Sequence, residues 1–210
     1  MARFNIAGDH LYTVGRSVLQ VFDISDLSRP NFIREEQVGW DIETIFHQDE
    51  YLYLGSARGM FIYSIEDPST PIYMSQIQHV QGCDPVVVAG DLAYVTLRGG
   101  NLCGQEESQL QVIDVSDKRN PLLLQTYEME SPYGLGVRDH RLFVCEGASG
   151  LKVFDAANSP DLVLEEHFKE LEAYDVIPLE DVLLLIGGGV LRQYSYKNDQ
   201  VNLMNTFNLY

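Results

Sequence analysis

Positive charge is scarce in this sequence. Its 14 lysines and arginines stand against 31 aspartates and glutamates, which gives a net charge of −17 at pH 7. A nucleic-acid partner requires a basic surface that neutralises phosphates, so the composition argues against one. The same charge makes copies of the chain repel each other and favours a soluble monomer. Cations, basic proteins and neutral ligands remain open as partners.

Long apolar runs are absent as well. No stretch reaches the ~18 residues that suggest a transmembrane helix. The longest candidate, residues 182–186, has only the length of a strand. No leader pattern precedes the first strand pattern, which begins by Phe4, so the sequence shows no targeting segment.

Familiar catalytic and metal-binding motifs are also missing. The glycines at 187–189 lack the lysine and the following helix of a phosphate-binding loop. No Gly-x-Ser-x-Gly nucleophile elbow occurs, and the cysteines and histidines do not have the spacing of zinc ligands. We therefore expect no catalytic residues, no cofactor and no bound metal, with Ca²⁺ as the cation left open.

The sequence does contain an internal repeat of about 41 residues. An aliphatic–aromatic strand pattern recurs at spacings of 41, 50, 41 and 40 residues, beginning at Leu19, Met60, Leu110, Leu151 and Leu191. A second strand pattern recurs in phase about seven residues earlier in each copy. Each copy reads as four short strands, A to D, bounded by Gly, Asp, Asn and Pro.

Four-stranded units at this period are typical of a β-propeller. We predict an all-β chain that forms one propeller domain of five four-stranded antiparallel blades. The repeats span approximately residues 1–39, 40–81, 82–130, 131–171 and 172–210.

The connection between strands C and D has a recurring sequence. It reads Asp-Ile-Ser-Asp-Leu-Ser-Arg-Pro at residues 23–30 and Asp-Val-Ser-Asp-Lys-Arg-Asn-Pro at residues 114–121. We interpret these residues as structural, because Asp and Ser accept hydrogen bonds from loop N–H groups and Pro fixes φ before an outer strand. This pattern resembles the LVIVD-repeat family over nearly the whole chain, although the fifth copy lacks the Asp and the Pro.

Residues 83–87 and 173–178 look like a subgroup of that family found in bacterial cell-surface proteins of unassigned function. The resemblance implies a binding role and export to the cell surface or periplasm; a cytoplasmic location is the alternative. Members of the subgroup tend to be longer, with further repeats ahead of this region. We expect the ring to close at five blades, and a larger ring is the alternative.

The strand order is expected to place the A-strand starts and the B–C loops, which carry many charged and aromatic residues, on one face. If strand A lines the axis, the D–A and B–C loops lie on a common top face, and the A–B and C–D loops lie on the bottom face. The starts of the A strands and the B–C arginines then surround the upper mouth of the axial channel. The candidate ligand-binding residues are Arg3, Arg16, Trp40, Asp41, Glu43, Arg58, Asp84, Arg98, Tyr133, Tyr174 and Asp175.

Arginines, carboxylates and tyrosines at a channel mouth are typical of a polar recognition site. A ring of inter-blade salt bridges that closes the propeller is the alternative interpretation, and the two are compatible. The longest B–C loop, residues 98–108, is expected on the same face.

Two of the three cysteines are expected on the same top face. Cys83 opens strand A of the third repeat and Cys103 lies in its B–C loop, so we predict a disulfide between them. Such a bond would stabilise the fold by roughly 3 kcal/mol and would imply an oxidising compartment. Three free thiols in a reducing cytoplasm are the alternative. Cys145 lies within strand B and is expected to be a buried apolar side chain.

The sequence therefore favours a non-enzymatic interaction or ligand-binding propeller, exported, that binds a protein or carbohydrate on its top face. The alternative is a carbohydrate-active enzyme or a Ca²⁺-dependent glycan-binding protein at the same mouth. In that alternative, Asp41, Glu43, Asp84 and Asp175 supply the catalytic carboxylates or the oxygen ligands. An enzyme is the less favoured of the two interpretations.

Overall fold

A computed structural model describes residues 3–78, 85–99, 107–196 and 200–210 of the chain. Within these ranges the chain forms β-strands and no helix. The strands make five antiparallel sheets of four strands, and each sheet is connected in sequence order. The predicted class, a β-propeller with five four-stranded blades, is confirmed.

Each blade has an inner strand A, two middle strands B and C, and an outer strand D. The A strands are β1 (Phe4–Ala7), β5 (Ile42–Gln48), β9 (Val86–Ala89), β13 (Leu135–Arg138) and β17 (Asp175–Pro178). The B strands are β2 (His10–Val14), β6 (Tyr51–Ser56), β10 (Leu92–Leu97), β14 (Arg141–Cys145) and β18 (Val182–Gly187). The C strands are β3 (Val18–Asp23), β7 (Gly59–Ser64), β11 (Gln109–Asp114), β15 (Leu151–Asp155) and β19 (Val190–Ser195). The D strands are β4 (Asn31–Gln37), β8 (Ile72–Gln78), β12 (Leu122–Glu128), β16 (Val163–Phe168) and β20 (Asn202–Asn208).

Local sequence explains the hairpins. The A–B turns of the first four blades each place one residue in the left-handed region, at Gly8, Asp49, Gly90 and Asp139. Glycine and aspartate tolerate that conformation better than most residues, which is why they recur there. The register between strands C and D shifts in all five blades, which indicates a β-bulge at the same place in each. A bulge increases the twist of a strand pair.

The hydrophobic cores lie between consecutive blades. Because side chains alternate along a strand, adjacent residues of strand B point to opposite neighbours. One residue of each pair packs toward the following blade and the other toward the preceding blade. The resulting buried contacts join Tyr12 with Leu52, Tyr53 with Ala93, Tyr94 with Leu142, and Phe143 with Leu183.

Four such cores connect the five blades. The inner strands β1, β5, β9, β13 and β17 also contact one another in that order. Blade 5 and blade 1 form no further core among the described residues, and β17 makes no comparable contact with β1. The five predicted blades are therefore present, and no packed core joins blade 5 to blade 1 in the part of the chain that the structure describes.

Candidate functional site

An open pocket lies at the upper mouth of the channel. Its volume is about 430 Å³. All five blades contribute to it through residues at or near the starts of their A strands. Its lining residues are Arg3, Glu43, Thr44, Pro85, Arg98, Pro132, Tyr133, Gly134 and Tyr174.

The predicted candidates Arg3, Glu43, Arg98, Tyr133 and Tyr174 all line this pocket. They lie far apart in the sequence, and the repeat brings them together because each lies in or directly beside a D–A or B–C connection on the top face. We call this group of five the mouth residues.

The two tyrosines form the aromatic part of the site. The rings of Tyr133 and Tyr174 meet edge to face, with centroids 5.0 Å apart. The Arg98 guanidinium lies over the Tyr133 ring, 4.1 Å from its centroid. The Tyr174 hydroxyl donates to the Glu172 carboxylate at 3.3 Å, and the charge of Glu172 raises the pKa of this tyrosine. The result is a fixed arrangement of a cation and two aromatic rings.

The charged part of the site centres on Glu43. Partial burial raises the pKa of its carboxyl above the ordinary value, and the charges of Arg3 and Arg98 oppose that shift. The guanidinium of Arg3 donates to the Ile42 carbonyl at 3.4 Å, which holds it beside the start of β5. One carboxylate and two guanidiniums therefore face the same pocket.

Four other candidates lie on the top face outside the pocket lining. Arg16, Arg58, Trp40 and Asp41 are all exposed. The backbones of two of them make hydrogen bonds to neighbouring loops. The Arg16 carbonyl accepts from the Ile42 amide at 2.9 Å, and the Asp41 carbonyl accepts from the Ala57 amide at 3.2 Å. Asp41 has φ of 54°, a strained conformation for a residue with a side chain.

Asp175 is placed between blades rather than at the mouth. Its carboxylate accepts from the Val176 amide at 3.0 Å and lies beside Gly134 of the preceding blade. A Cβ at Gly134 would come within 2.4 Å of that carboxylate, so the close blade contact requires glycine. Asp84, Cys83 and Cys103 lie outside the described residues, and so does most of the long B–C loop.

Sequence reasoning missed four lining residues, Thr44, Pro85, Pro132 and Gly134. Thr44 is buried next to the β-bulge at the start of β5, a feature that the sequence does not reveal. The other three could have been found from their position, because each lies just before or at the start of an A strand. The candidates are charged and aromatic residues, so a selection by residue type leaves out proline and glycine.

A second pocket, of about 450 Å³, lies on the bottom face between blades 1 and 2. It is lined by the A–B turns, including His10, His47 and Asp49. The His10 ring nitrogen and the Ser69 hydroxyl are 3.0 Å apart, so this histidine joins the two blades. In the described part of the chain, no group of three or more His, Cys, Asp or Glu side chains is arranged to hold a metal ion.

Comparison with protein families gives one match. The LVIVD repeat model matches residues 3–35 and 83–129. These segments contain the first and third copies of the Asp-x-Ser connection that carried the resemblance in the sequence. Comparison with curated proteins finds no match.

Solved structures show the same fold. A functionally unknown protein from Desulfotomaculum acetoxidans superimposes with a TM-score of 0.82 at 9% identity, covering 98% of this chain. The periplasmic gluconolactonase PpgL of Pseudomonas aeruginosa gives 0.73 at 15% identity and 96% coverage. A protein from Lactobacillus plantarum gives 0.74 at 13% identity and 94% coverage. At these identities the likeness concerns the fold.

The chain spans only part of these proteins. It covers 69%, 68% and 67% of the three, in the order above, and 60% of the computationally designed protein Ika8. In the described ranges no helix has the length and apolar character needed to cross a membrane.

Proposed function

We propose that this β-propeller, part of which matches the LVIVD repeat model, is a non-enzymatic binding protein whose ligand docks at the channel mouth. The observation that carries this proposal is the pocket of about 430 Å³, which the starts of all five inner strands share. Rigid scaffolds that bring side chains from several elements to one concave site are typical of ligand-binding proteins.

The mouth residues suit a polar ligand with a flat apolar side, such as a carbohydrate or a segment of a partner protein. The exposed ring of Tyr174 and the neighbouring Tyr133 offer a surface on which a sugar ring or an aliphatic side chain can pack. Arg3 and Arg98 can donate to carboxylate or hydroxyl oxygens. Glu43 can accept from hydroxyl or amino groups of the same ligand.

We test this proposal with a glycan array and a phage-displayed peptide library as probes. We expect the wild-type chain to retain members of one library, and Arg98→Ala or Tyr174→Ala to weaken that binding by about tenfold or more. Matched controls are Arg119→Ala on the bottom face and Tyr73→Ala on an outer strand, both exposed. The controls should bind as the wild type does. Binding that the mouth variants leave unchanged, or no binding to either library, contradicts the proposal.

We further propose that the protein is exported. The family resemblance supports this, and one protein with the same fold is periplasmic. Export would allow the proposed Cys83–Cys103 disulfide, while Cys145 is fully buried and its burial raises the thiol pKa well above the ordinary value. Protein purified from its source without reductant and then denatured should show one reactive thiol. Three reactive thiols would rule out the bond and the oxidising compartment.

A second candidate function is carbohydrate chemistry or Ca²⁺-dependent glycan binding at the same mouth. The observation that favours it is Glu43, a carboxyl whose pKa is raised by burial, as acid catalysis requires. Any glycan or sugar lactone retained by the chain is incubated with wild type and with Glu43→Gln. Turnover that Glu43→Gln abolishes while binding persists supports an enzyme. Binding that EDTA abolishes and Ca²⁺ restores supports the Ca²⁺-dependent alternative.

A further inference from the structure

Among the described residues, the two terminal blades each have one face that no other blade covers. On the inner strand of blade 5, Val176 is 4% exposed and packs against blade 4, whereas its neighbour Ile177 is 54% exposed on the opposite side. On the inner strand of blade 1, Phe4 and Ile6 are 60% and 54% exposed. Ala7 of the same strand packs toward blade 2.

These exposures are specific to the ends of the arc. Outer strands carry exposed apolar residues in every blade, so exposure there does not distinguish one blade from another. The inner strands β5, β9 and β13, which are described throughout, contain no exposed large apolar residue. Inner-strand side chains are therefore covered wherever a blade has a neighbour on that side, and Phe4, Ile6 and Ile177 lack that cover.

The B strands show the same asymmetry. Leu52, Ala93, Leu142 and Leu183 face the preceding blade, and all are fully buried. Leu11 holds the corresponding position in blade 1 and is only partly buried. On the opposite side, Leu184 of blade 5 is partly buried, although the equivalent Tyr12, Tyr53 and Phe143 are fully buried. Both terminal faces thus carry the apolar residues of an inter-blade core, but no neighbouring blade among the described residues packs against them.

The superposition on a longer solved structure indicates how many further blades would fit beside these two faces. The whole arc superimposes on 69% of the protein from Desulfotomaculum acetoxidans, so its blades follow the curvature of a chain about half as long again. At about 41 residues a repeat, the remaining length corresponds to about two blades, which gives about seven in total, within the usual range for propellers.

We propose that the outward faces of blade 1 and blade 5 are an interface for two further four-stranded blades of the same repeat, which complete the ring. This inference does not depend on the proposed binding function. A second copy of this arc fits less well, because two five-bladed arcs would make a ring of about ten blades, beyond the usual range. Two inserted blades would also place two further A-strand starts between Tyr174 and Arg3. The ring of A-strand starts around the channel mouth would then be complete.

The test lengthens the chain by two repeats. Two further copies of residues 131–171 are appended after Tyr210, because this repeat presents Leu142 to the preceding blade and Phe143 to the following one. The control extension has the same length but carries Leu142→Asp and Phe143→Asp in both added copies. Both are compared with the 210-residue chain by light scattering, thermal unfolding and fluorescence of the apolar dye ANS.

We expect all three proteins to be monomers. The extended chain should bind several-fold less ANS per molecule than the 210-residue chain and unfold at a temperature roughly 5 °C higher or more, whereas the control extension should do neither. The substitution Ile177→Asp should leave the unfolding temperature of the 210-residue chain unchanged and lower that of the extended chain, where it places a charge in a buried interface.

Three results would overturn the proposal. The first is an extended chain that behaves like the control extension. The second is a 210-residue chain that forms a dimer which Ile177→Asp dissociates, because a second copy would then cover these faces. The third is a monomer in which Ile177→Asp lowers the unfolding temperature without any extension, because blade 5 would then close directly on blade 1.

Discussion

At the scale of single residues, an aromatic residue in strand B joins each blade to the next. The Tyr12 hydroxyl donates to the Pro68 carbonyl of blade 2 at 2.7 Å, and the Tyr94 and Ser159 hydroxyls are 2.9 Å apart across blades 3 and 4. Tyr53 holds the same position in blade 2, but its buried hydroxyl has no hydrogen-bond partner among the described residues. Burial raises the pKa of Tyr12 to about 12, so this phenol stays neutral.

The first prediction compares two tyrosines in the same structural position. Tyr12→Phe removes a hydrogen bond from a buried site and should lower the free energy of unfolding by about 1 kcal/mol. Tyr53→Phe removes an unpaired buried hydroxyl and should leave the free energy of unfolding unchanged or raise it. Urea unfolding monitored by tyrosine fluorescence measures both. Equal losses in the two variants would show that the hydroxyls are equivalent.

At the scale of elements, the C–D connection is a repeated turn that a carboxylate caps. Asp23 accepts from the Ser25 amide at 2.8 Å, and Asp114 accepts from the Ser116 amide at 2.8 Å. Asp155 accepts from the Ala157 amide in the same way at 2.9 Å. These bonds are the reason for the spacing of Asp and Ser in the repeat, and they support the structural interpretation of that motif.

The second prediction concerns the pH dependence of these turns. Hydrogen bonds from Ser25 and Ser116 lower the pKa of Asp23 and Asp114 below the ordinary value. A lowered folded-state pKa stabilises the fold above the unfolded-state pKa, and that stabilisation disappears as pH falls through the folded-state value. The Asp23→Asn, Asp114→Asn double variant should therefore be less stable than wild type at pH 7, and the difference should be smaller at about pH 3, closer to the lowered folded-state pKa.

Urea midpoints measured at both pH values test this prediction. Glu128→Gln on an outer strand is the control, because it removes a negative charge at an exposed position. A difference between the double variant and wild type that persists unchanged at low pH would contradict the role of the carboxylate charge.

At the scale of the whole molecule, four inter-blade cores join the five blades, and the outward faces of blades 1 and 5 belong to no core among the described residues. The third prediction uses neighbouring residues on the inner strand of blade 5. Val176→Ala should lower the free energy of unfolding by about 2 kcal/mol, because its side chain fills the core against blade 4. Ile177→Ala should change it by about 0.5 kcal/mol or less, because its side chain lies on the uncovered face. Similar losses in thermal and urea unfolding would show that both faces are packed.

The sequence predicted much of the fold because the repeat is local. In the second blade the sequence predicts strands at residues 43–47, 51–54, 60–65 and 71–76. The observed bounds differ from these by at most two residues, since alternation, turn residues and proline all lie within one repeat. The sequence also predicted five of the mouth residues. Arg16, Arg58 and Trp40 share the top face without lining the pocket, and whether any of the candidates binds a ligand stays a prediction.

The sequence by itself determined the number of blades that this chain contains, their strand order and the face on which each loop lies. These follow from patterns within about 41 residues, which each blade repeats. The tertiary structure alone decided which top-face side chains share a pocket and which pairs of blades form a packed core among the described residues. Both depend on the angle at which one blade packs on the next, and that angle is set by contacts such as Tyr94 with Leu142 between residues distant in the sequence.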